Sequence, residues 1–324
     1  MTQVLDTVLL LALPASGKSE VRRYLAHLDP EVAARDFHMG PTVQLDDFPY
    51  VHLMRRVDDE LQAMKQPRLY FEAPDRSFQD PRAWGTLIDL LNQDYDDLVT
   101  KRHYAPASAA EWLFGRFDKA SEAVGATPRI KALDASTKSQ LAEVLEDEAR
   151  ALLDEKLENY PDTLEGKTLV IEFARGGKQG SKMPLAAPYG YAYSIGRLSP
   201  ALLQKARILY IWVTPEESRR KNEARTDPND PGSILHHGVP LHVMLNEYGC
   251  DDMDWLESQS TQKGTVTIER DGVRHFLPIA RVDNRVDRTS FVREPEDKWK
   301  PEDVKPLHDG LKGALDQLIR HTKS

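Results

Sequence analysis

The chain has 324 residues, of which 40% are hydrophobic, so it is long enough for roughly two domains and for a sizeable core. Its 43 basic and 52 acidic residues give a net charge of −9, which argues against a general binder of nucleic acid or anionic membranes but allows one local basic patch. The single cysteine, Cys250, excludes an intrachain disulfide, and the longest apolar run, residues 8–15, is too short to cross a bilayer, so we expect a cytoplasmic protein with no membrane association.

Apolar segments that predict strands alternate with segments that predict helices, which indicates an α/β fold with a mostly parallel sheet. The first segment, residues 7–13, is typical of a strand buried on both faces, and a helix is predicted after it at residues 18–28. Asp271-Gly272 predicts a β-hairpin before the last strand. The other strands of this five-stranded sheet are predicted at residues 41–46, 168–173, 206–213 and 276–282.

Residues 50–165 contain no comparable strand, and their apolar side chains recur at helical spacing. We therefore predict a large helical insertion, or cap, between the second and third strands of one kinase-like core. The predicted boundaries are residues 1–49 and 166–292 for the core, 50–165 for the insertion, and 293–324 for a C-terminal extension that ends in a helix.

The strongest motif lies between the first strand and the helix that follows it. Residues 12–19, Ala-Leu-Pro-Ala-Ser-Gly-Lys-Ser, match the phosphate-binding (Walker A) loop except that Ala12 replaces the first glycine. Backbone amides of small residues and the start of a helix together form an anion-binding nest. Lys18 is expected to reach the β- and γ-phosphates, and Ser19 to bind Mg²⁺. The predicted nucleotide-binding residues are Pro14, Ala15, Ser16, Gly17, Lys18 and Ser19.

Three further features follow the loop in a recognisable order. Leu45-Asp46-Asp47-Phe48 ends the second strand, Glu172 lies in the apolar third strand, and a basic helix at residues 214–225 follows the fourth strand. With these features the chain resembles P-loop kinases of the nucleotide-kinase type, on the uridine-kinase-like or small-molecule kinase branch. The resemblance covers about residues 5–49, 167–226 and 276–290, and it implies ATP or another nucleoside triphosphate, and Mg²⁺, as cofactors.

Phosphoryl transfer needs positioning, charge neutralisation and an oriented acceptor, and candidates for each role can be named. Asp46 or Asp47 could take the proton of the acceptor hydroxyl, and Asp46 could also hold a magnesium-bound water; capping of the next helix is the alternative for one of them. Glu172 is expected to hold a magnesium-bound water or contact the substrate. Arg219 and Arg225 are expected to close over the transferred phosphoryl group. By fold analogy, Asn284 is expected to contact the adenine.

The loop after the third strand is basic and rich in glycine, and tyrosines follow it at alternate positions. Arg175, Lys178 and Tyr191 are therefore candidate contacts to an anionic or ring-bearing substrate. A solvated loop and a short strand are the alternative interpretations. His236-His237, together with Cys250, matches no common zinc spacing, so no metal site is predicted there.

The leading hypothesis is an ATP- and Mg²⁺-dependent kinase that phosphorylates a hydroxyl or phosphate of a small molecule. Two alternatives stay open. One is a 5′-polynucleotide kinase whose basic groove uses residues 175–182 and 219–225, although the net charge makes a nucleic-acid partner the less favoured reading. The other is a P-loop NTPase or nucleotide-binding regulatory protein without a small-molecule acceptor. The sequence names neither the acceptor nor the oligomeric state.

Overall fold

The strands of the computed structural model, which describes residues 3–225 and 238–321, form a single mixed sheet. They are β1 (Thr7–Leu11), β2 (Thr42–Asp46), β3 (Thr168–Phe173), β4 (Ala206–Trp212), β5 (Thr265–Arg270) and β6 (Val273–Asp283). Their order in the sheet is β2-β3-β1-β4-β6-β5. All neighbours pair in parallel except β5 and β6, which are antiparallel. The predicted α/β class with a mostly parallel sheet is confirmed.

The predicted number of five strands is wrong, because the hairpin joins the sheet. Asp271 and Gly272 have φ angles of 52° and 75°, as a type I′ hairpin turn requires. The second arm of the hairpin does not end before the predicted last strand but continues into it as β6. The first arm, β5, therefore extends the sheet as a sixth, antiparallel edge strand.

Helices cover both faces of this sheet. The core on one face contains residues of α1, α2 and α12, and the core on the other contains residues of α4, α7, α8 and α11. Within the described residues the helices are α1 (Lys18–His27), α2 (Pro30–Phe37), α3 (Phe48–Ala63), α4 (Ala83–Thr100), α5 (Ala109–Ala123), α6 (Ala135–Glu158), α7 (Gly190–Gly196), α8 (Pro200–Lys205), α9 (Pro215–Arg225), α10 (Leu241–Asn246), α11 (Met253–Gln259) and α12 (Pro301–Arg320).

The chain between β2 and β3 folds into four helices, α3 to α6, that have a core of their own. Apolar side chains from all four helices fill it, and an ionic network lies at its edge: Asp94 accepts hydrogen bonds from Tyr50, Arg116 and Lys156 at 2.6–2.7 Å. The same core includes Leu13, next to the predicted phosphate loop, and Val243 of α10. The helices are thereby packed beside the loop, at the carboxyl end of the sheet.

The last helix is part of the sheet's packing and not a separate appendage. α12 begins at Pro301, and its buried leucines at 311, 315 and 318 pack in the same core as Val8 and Leu10 of β1. None of the helices within residues 3–225 and 238–321 has the length and the apolar character that crossing a membrane requires.

Candidate functional site

The predicted phosphate loop turns sharply between β1 and α1. Ala15 and Gly17 have φ angles of 55° and 103°, in the region that favours glycine. A Cβ atom on Gly17 would lie 2.5 Å from Thr289 Oγ1 and 2.9 Å from Asn284 Nδ2, so only glycine fits there without displacing its neighbours. α1 begins directly after it, at Lys18, so the first amides of the helix lie next to the loop.

Two side chains from distant parts of the chain hold this loop from outside. Asn284, fully buried, donates its amide to the carbonyl of Ser16 at 2.7 Å and accepts a hydrogen bond from the Arg288 amide. The Ser218 hydroxyl of α9 donates to the carbonyl of Pro14, also at 2.7 Å. Asn284 does not line the cleft described below. Asn284 therefore does not face the cleft, where a contact to adenine was predicted, and instead supports the loop from behind.

A cleft opens in front of the loop, with about 1060 Å³ of empty space when the open solvent at its mouth is included. Three parts of the chain line it: the loop and the start of α1, the carboxyl ends of β2 and β3, and side chains from the helical region and α10. The polar or charged side chains among these are Ser16, Lys18, Ser19, Glu20, Asp46, Asp47, Arg55, Arg76, Ser77, Glu172, Arg175, Glu247 and Tyr248.

Carboxylates from β2 and β3 meet at the sheet edge inside the cleft. The parallel register pairs Asp46 with Glu172. Arg22 Nη1 lies 3.2 Å from Glu172 Oε2 and 3.9 Å from Asp46 Oδ2, and Lys18 Nζ lies 3.8 Å from Glu172 Oε1. Burial, with the negative charges of Glu172 and Asp47, raises the pKa of Asp46 to about 8. Asp46 therefore holds its proton more tightly than an exposed aspartate does.

The donor set at this edge fits a magnesium ion. Glu172 Oε2 is buried and, apart from its ion pair with Arg22, makes no hydrogen bond within the described residues; Ser19 and Asp46 line the same cleft. Mg²⁺ is usually held by one or two carboxylates together with phosphate oxygens and waters, so it does not need a closed protein cage. No group of three or more His, Cys, Asp or Glu side chains in the described ranges is placed to hold a metal ion by itself.

The two aspartates at the end of β2 have different surroundings. Asp46 Oδ1 accepts a hydrogen bond from the Phe48 amide at 2.9 Å, so Asp46 performs the capping role left open by the sequence. Asp47, at the N-cap position of α3, makes no capping bond. Its Oδ2 atom instead lies 2.7 Å from Nη1 of Arg175. Asp47 is thus oriented by an arginine and not by the helix.

Arg175 is almost fully buried, and its guanidinium is committed to the protein. Besides Asp47, it contacts the Ser194 hydroxyl at 3.1 Å and the carbonyls of Ala174 and Trp84 at 2.7 and 3.4 Å. Arg175 lines the cleft, as a substrate contact would, but its contacts are to the protein, and it orients Asp47 at the wall of the cleft.

The structure brings neither Lys178 nor Tyr191 to the cleft. Lys178 is exposed outside it, whereas Tyr191 is fully buried and packs between the rings of Phe173 and Tyr210. Tyr191 and Tyr193 lie on α7 and Tyr189 at its N-cap position, so the strand alternative is wrong. Asp252 stabilises the start of this helix by accepting hydrogen bonds from backbone amides, at 2.6 Å in the case of Tyr191. Both predicted substrate contacts are thus corrected, because one side chain faces solvent and the other the core.

The basic helix after β4 begins as predicted, with the Thr214 hydroxyl accepting a hydrogen bond from the Glu217 amide at 3.1 Å. Arg219 does not line the cleft, and its Nη2 atom is paired with Glu216 at 3.1 Å. The prediction that Arg219 closes over a phosphoryl group is therefore not matched by its position. The side chain of Arg225, and His236-His237, lie outside the described residues.

This helix, α9, is fastened against the phosphate loop instead. Ser218 contacts the loop, and the buried ammonium of Lys221 lies 3.0 Å from Asp287 Oδ1, in the turn that carries Asn284. Asn222 exchanges two hydrogen bonds of 2.8 Å with the backbone of Val239. α9 thereby links the loop to the segment that leads into α10.

Sequence reasoning missed Arg55, Ser77 and Glu247, which line the cleft from the helical side. Arg55 lies 3.9 Å from the centre of the Phe71 ring and donates to the carbonyl of Pro74 at 2.8 Å. Glu247 is only 5% exposed, and burial raises its pKa to about 7 although the Ser77 side chain hydrogen-bonds to it. No local motif marks these residues, because they come from segments far apart in the sequence.

Comparison with models of protein families, with curated proteins and with solved structures found no match to the chain. A fold alone does not define an activity, so the charges, hydrogen bonds and shape of the cleft are what indicate the function.

Replacing Glu247 with glutamine is expected to stabilise the fold at alkaline pH. Since burial raises the carboxyl pKa from 4.5 to about 7, the folded chain binds this proton more tightly than the unfolded chain. The stability of the parent protein therefore falls as the pH rises through that window, whereas glutamine has no charge to bury. At about pH 8 the variant's free energy of unfolding should exceed the parent's by on the order of 1–3 kcal/mol, measured by denaturant unfolding.

The matched control is Glu72→Gln, because Glu72 is an exposed acid whose charge acts on Glu247. This control should change the unfolding free energy far less than the Glu247 variant. The difference between the Glu247 variant and the parent should also vanish near pH 4, where the carboxyl is neutral in both states. A Glu247 variant less stable than the parent at pH 8 would show that the ionised carboxylate is favourable in the fold.

Proposed function

We propose that the chain is a kinase that transfers a phosphoryl group from ATP, or another nucleoside triphosphate, to a hydroxyl or phosphate of a small molecule with Mg²⁺. One observation carries the proposal. The glycine-containing loop with Lys18, the carboxylates at the ends of β2 and β3, and a second polar region from the helices line a single cleft. A nucleotide and an acceptor could therefore meet in it.

Each part of the cleft has a chemical task in this proposal. The loop amides and the start of α1 would hold phosphate oxygens, and Lys18 would neutralise charge that develops on the β- and γ-phosphates. Ser19, Asp46 and Glu172 are the residues that would hold Mg²⁺, which supplies further charge neutralisation when bound. Asp47, oriented by Arg175, would accept the proton of an acceptor hydroxyl.

The contacts of the basic residues favour this function over a 5′-polynucleotide kinase. Arg175 is enclosed by protein, and Arg219 and Arg220 are paired with glutamates of their own helix at 3.1 and 2.7 Å. These side chains do not line up as a continuous basic groove. The polar region beside Asp47 likewise favours a kinase over an NTPase, because water alone needs no such pocket. We also propose that the protein is cytoplasmic.

The test is release of ADP from Mg·ATP in the presence of separate acceptor classes: sugars, nucleosides, nucleotides, hydroxylated amino acids and short oligonucleotides. We expect one small-molecule class to raise the rate at least about tenfold above the rate in water, an effect of about 1.4 kcal/mol. ATP turnover that no acceptor stimulates would instead favour an NTPase. Turnover stimulated only by oligonucleotides, with a steep dependence on salt, would favour the polynucleotide kinase.

A further inference from the structure

The helical side of the cleft has a chemistry of its own. We use the name helical-side pocket for the region lined by Arg55, Phe71, Ser77, Trp84, Glu247 and Tyr248. The charges of Arg55, Glu247 and Asp47 all act on the buried Tyr248 hydroxyl, so the pocket adjoins the aspartate proposed to accept the proton. The chemical groups that line this pocket should therefore be complementary to those of the acceptor molecule.

Aromatic side chains are present in this pocket, but their ring faces are largely occupied. The Arg55 guanidinium lies 3.9 Å from the centre of the Phe71 ring, and the centre of the Phe78 ring lies 4.4 Å from it. Because two groups this close cannot occupy the same face of the ring, they cover its two opposite faces. Arg175 lies over Trp84, 4.8 Å from the ring centre. A planar ring such as a nucleobase would find no open face on Phe71, so stacking on it is not how the pocket selects its ligand.

Two side chains of opposite charge, Glu247 and Arg55, face the pocket. Glu247 accepts a hydrogen bond from Ser77 but, among the described residues, has no cation within 4.0 Å, and a carboxylate can accept further hydrogen bonds. The Arg55 plane is fixed by Phe71 and by its bond to Pro74, and no carboxylate in the described ranges lies within that distance of it. Burial lowers the pKa of Arg55 and raises the pKa of Glu247, although each of the two charges acts favourably on the other.

We infer that the helical-side pocket binds a zwitterionic acceptor, a small hydroxylated molecule whose protonated amine pairs with Glu247 and whose carboxylate pairs with Arg55. This inference rests on the proposed kinase function. Such a ligand compensates both charges at once, whereas a neutral sugar compensates neither. Arg76, 43% exposed and paired with Asp75 at 3.8 Å, also lines the cleft.

The reaction then balances as a simple transfer. The acceptor oxygen forms a bond to the γ-phosphorus while the bond from that phosphorus to the β–γ bridging oxygen breaks. The hydroxyl proton moves to Asp47, and the bridging electron pair leaves with ADP. The products are a phosphorylated amino-acid-like compound and ADP, so no oxidant, reductant or further co-reactant is needed.

The test uses L-homoserine and L-serine as acceptors, each compared with its N-acetyl form and its carboxamide. We expect at least one free amino acid to raise ADP release about tenfold or more, and kcat/KM to fall at least about tenfold when either charge is removed from it. Glu247→Gln should raise KM for the free amino acid at least about tenfold with kcat little changed, and Arg55→Met should do the same. Glu72→Gln is the matched control and should leave KM unaltered.

Other outcomes separate this inference from the proposed function. Stimulation by sugars or nucleosides but not by the amino acids would overturn the inference and leave the kinase intact. If no compound stimulates turnover, calorimetry of L-homoserine and L-serine with the protein loaded with a non-hydrolysable ATP analogue decides the matter. A heat of binding that is lost in the Glu247→Gln variant would support the zwitterion-binding pocket although the kinase proposal fails. If no heat of binding is seen, both the pocket inference and the kinase proposal are overturned. If Arg55→Met does not fold, Arg55→Lys, which keeps the charge but not the planar fork, is measured in its place.

Discussion

Replacing Lys18 with methionine is expected to lower acceptor-dependent ADP release by about 10²–10³-fold at saturating ATP. Lys18 follows the turn at Gly17 directly, and its ammonium lies 3.8 Å from Glu172, at the meeting point of loop and sheet edge. Methionine keeps most of the side-chain length but removes the charge that would face the phosphates. The rate of ADP formation, measured with a coupled assay at several ATP concentrations, gives kcat and KM separately.

Lys178→Met is the control for this experiment, because Lys178 is an exposed lysine outside the cleft. It should keep the parent's turnover within about twofold, since an exposed charge that far from the reacting groups is screened by solvent. Equal losses in the two variants would contradict the assignment of the loop as the phosphate site. A loss confined to Lys178 would restore the substrate contact that the sequence predicted for it.

The parts of this protein that the sequence predicted well are those determined by local patterns. β3 was predicted at its observed bounds because an uninterrupted apolar run leaves few alternatives, and the turn between β1 and α1 lies where the motif spacing predicts it. α2 was missed because it buries only Phe37 and so shows no clear apolar stripe; Asp29 at its N-cap was a signal that could have located it. α5 lies inside the segment predicted to be helical, and its buried Leu113, Phe114 and Phe117 follow helical spacing.

The contacts that assemble the cleft could not be predicted, because they join residues far apart in sequence. A basic, glycine-rich loop usually faces solvent, yet Arg175 turns inward to Asp47, and that choice depends on the space beside Trp84. Asn284 was placed near a nucleotide by analogy, but the close approach of Gly17 makes it a support for the loop. Whether a polar side chain faces a ligand or the protein is decided by packing.

Replacing Asp47 with asparagine is the second change with a large expected effect. If Asp47 accepts the acceptor's proton, asparagine removes the base at nearly constant volume, and kcat should fall by about 10²–10⁴-fold while KM for ATP stays close to the parent's. Arg175→Lys keeps a positive charge but not the fork that contacts Asp47, Ser194 and the backbone. We expect a smaller loss of kcat there, with the acceptor KM also raised. Initial rates with the acceptor found in the screen measure both.

Asp46→Asn separates the two neighbouring aspartates. Asp46 caps Phe48 and faces Glu172 across the strand pair, so its loss should raise the Mg²⁺ concentration needed for half-maximal rate. At saturating Mg²⁺ its kcat should recover towards the parent's value, which the Asp47 variant cannot do if a base has been lost. The opposite pattern would identify Asp46 as the proton acceptor. In that case Asp47→Asn keeps its turnover, and Asp46→Asn loses turnover that saturating Mg²⁺ does not restore. The Arg175–Asp47 pair would then be a device that holds the end of β2 in place, because a buried ion pair can serve architecture as well as chemistry.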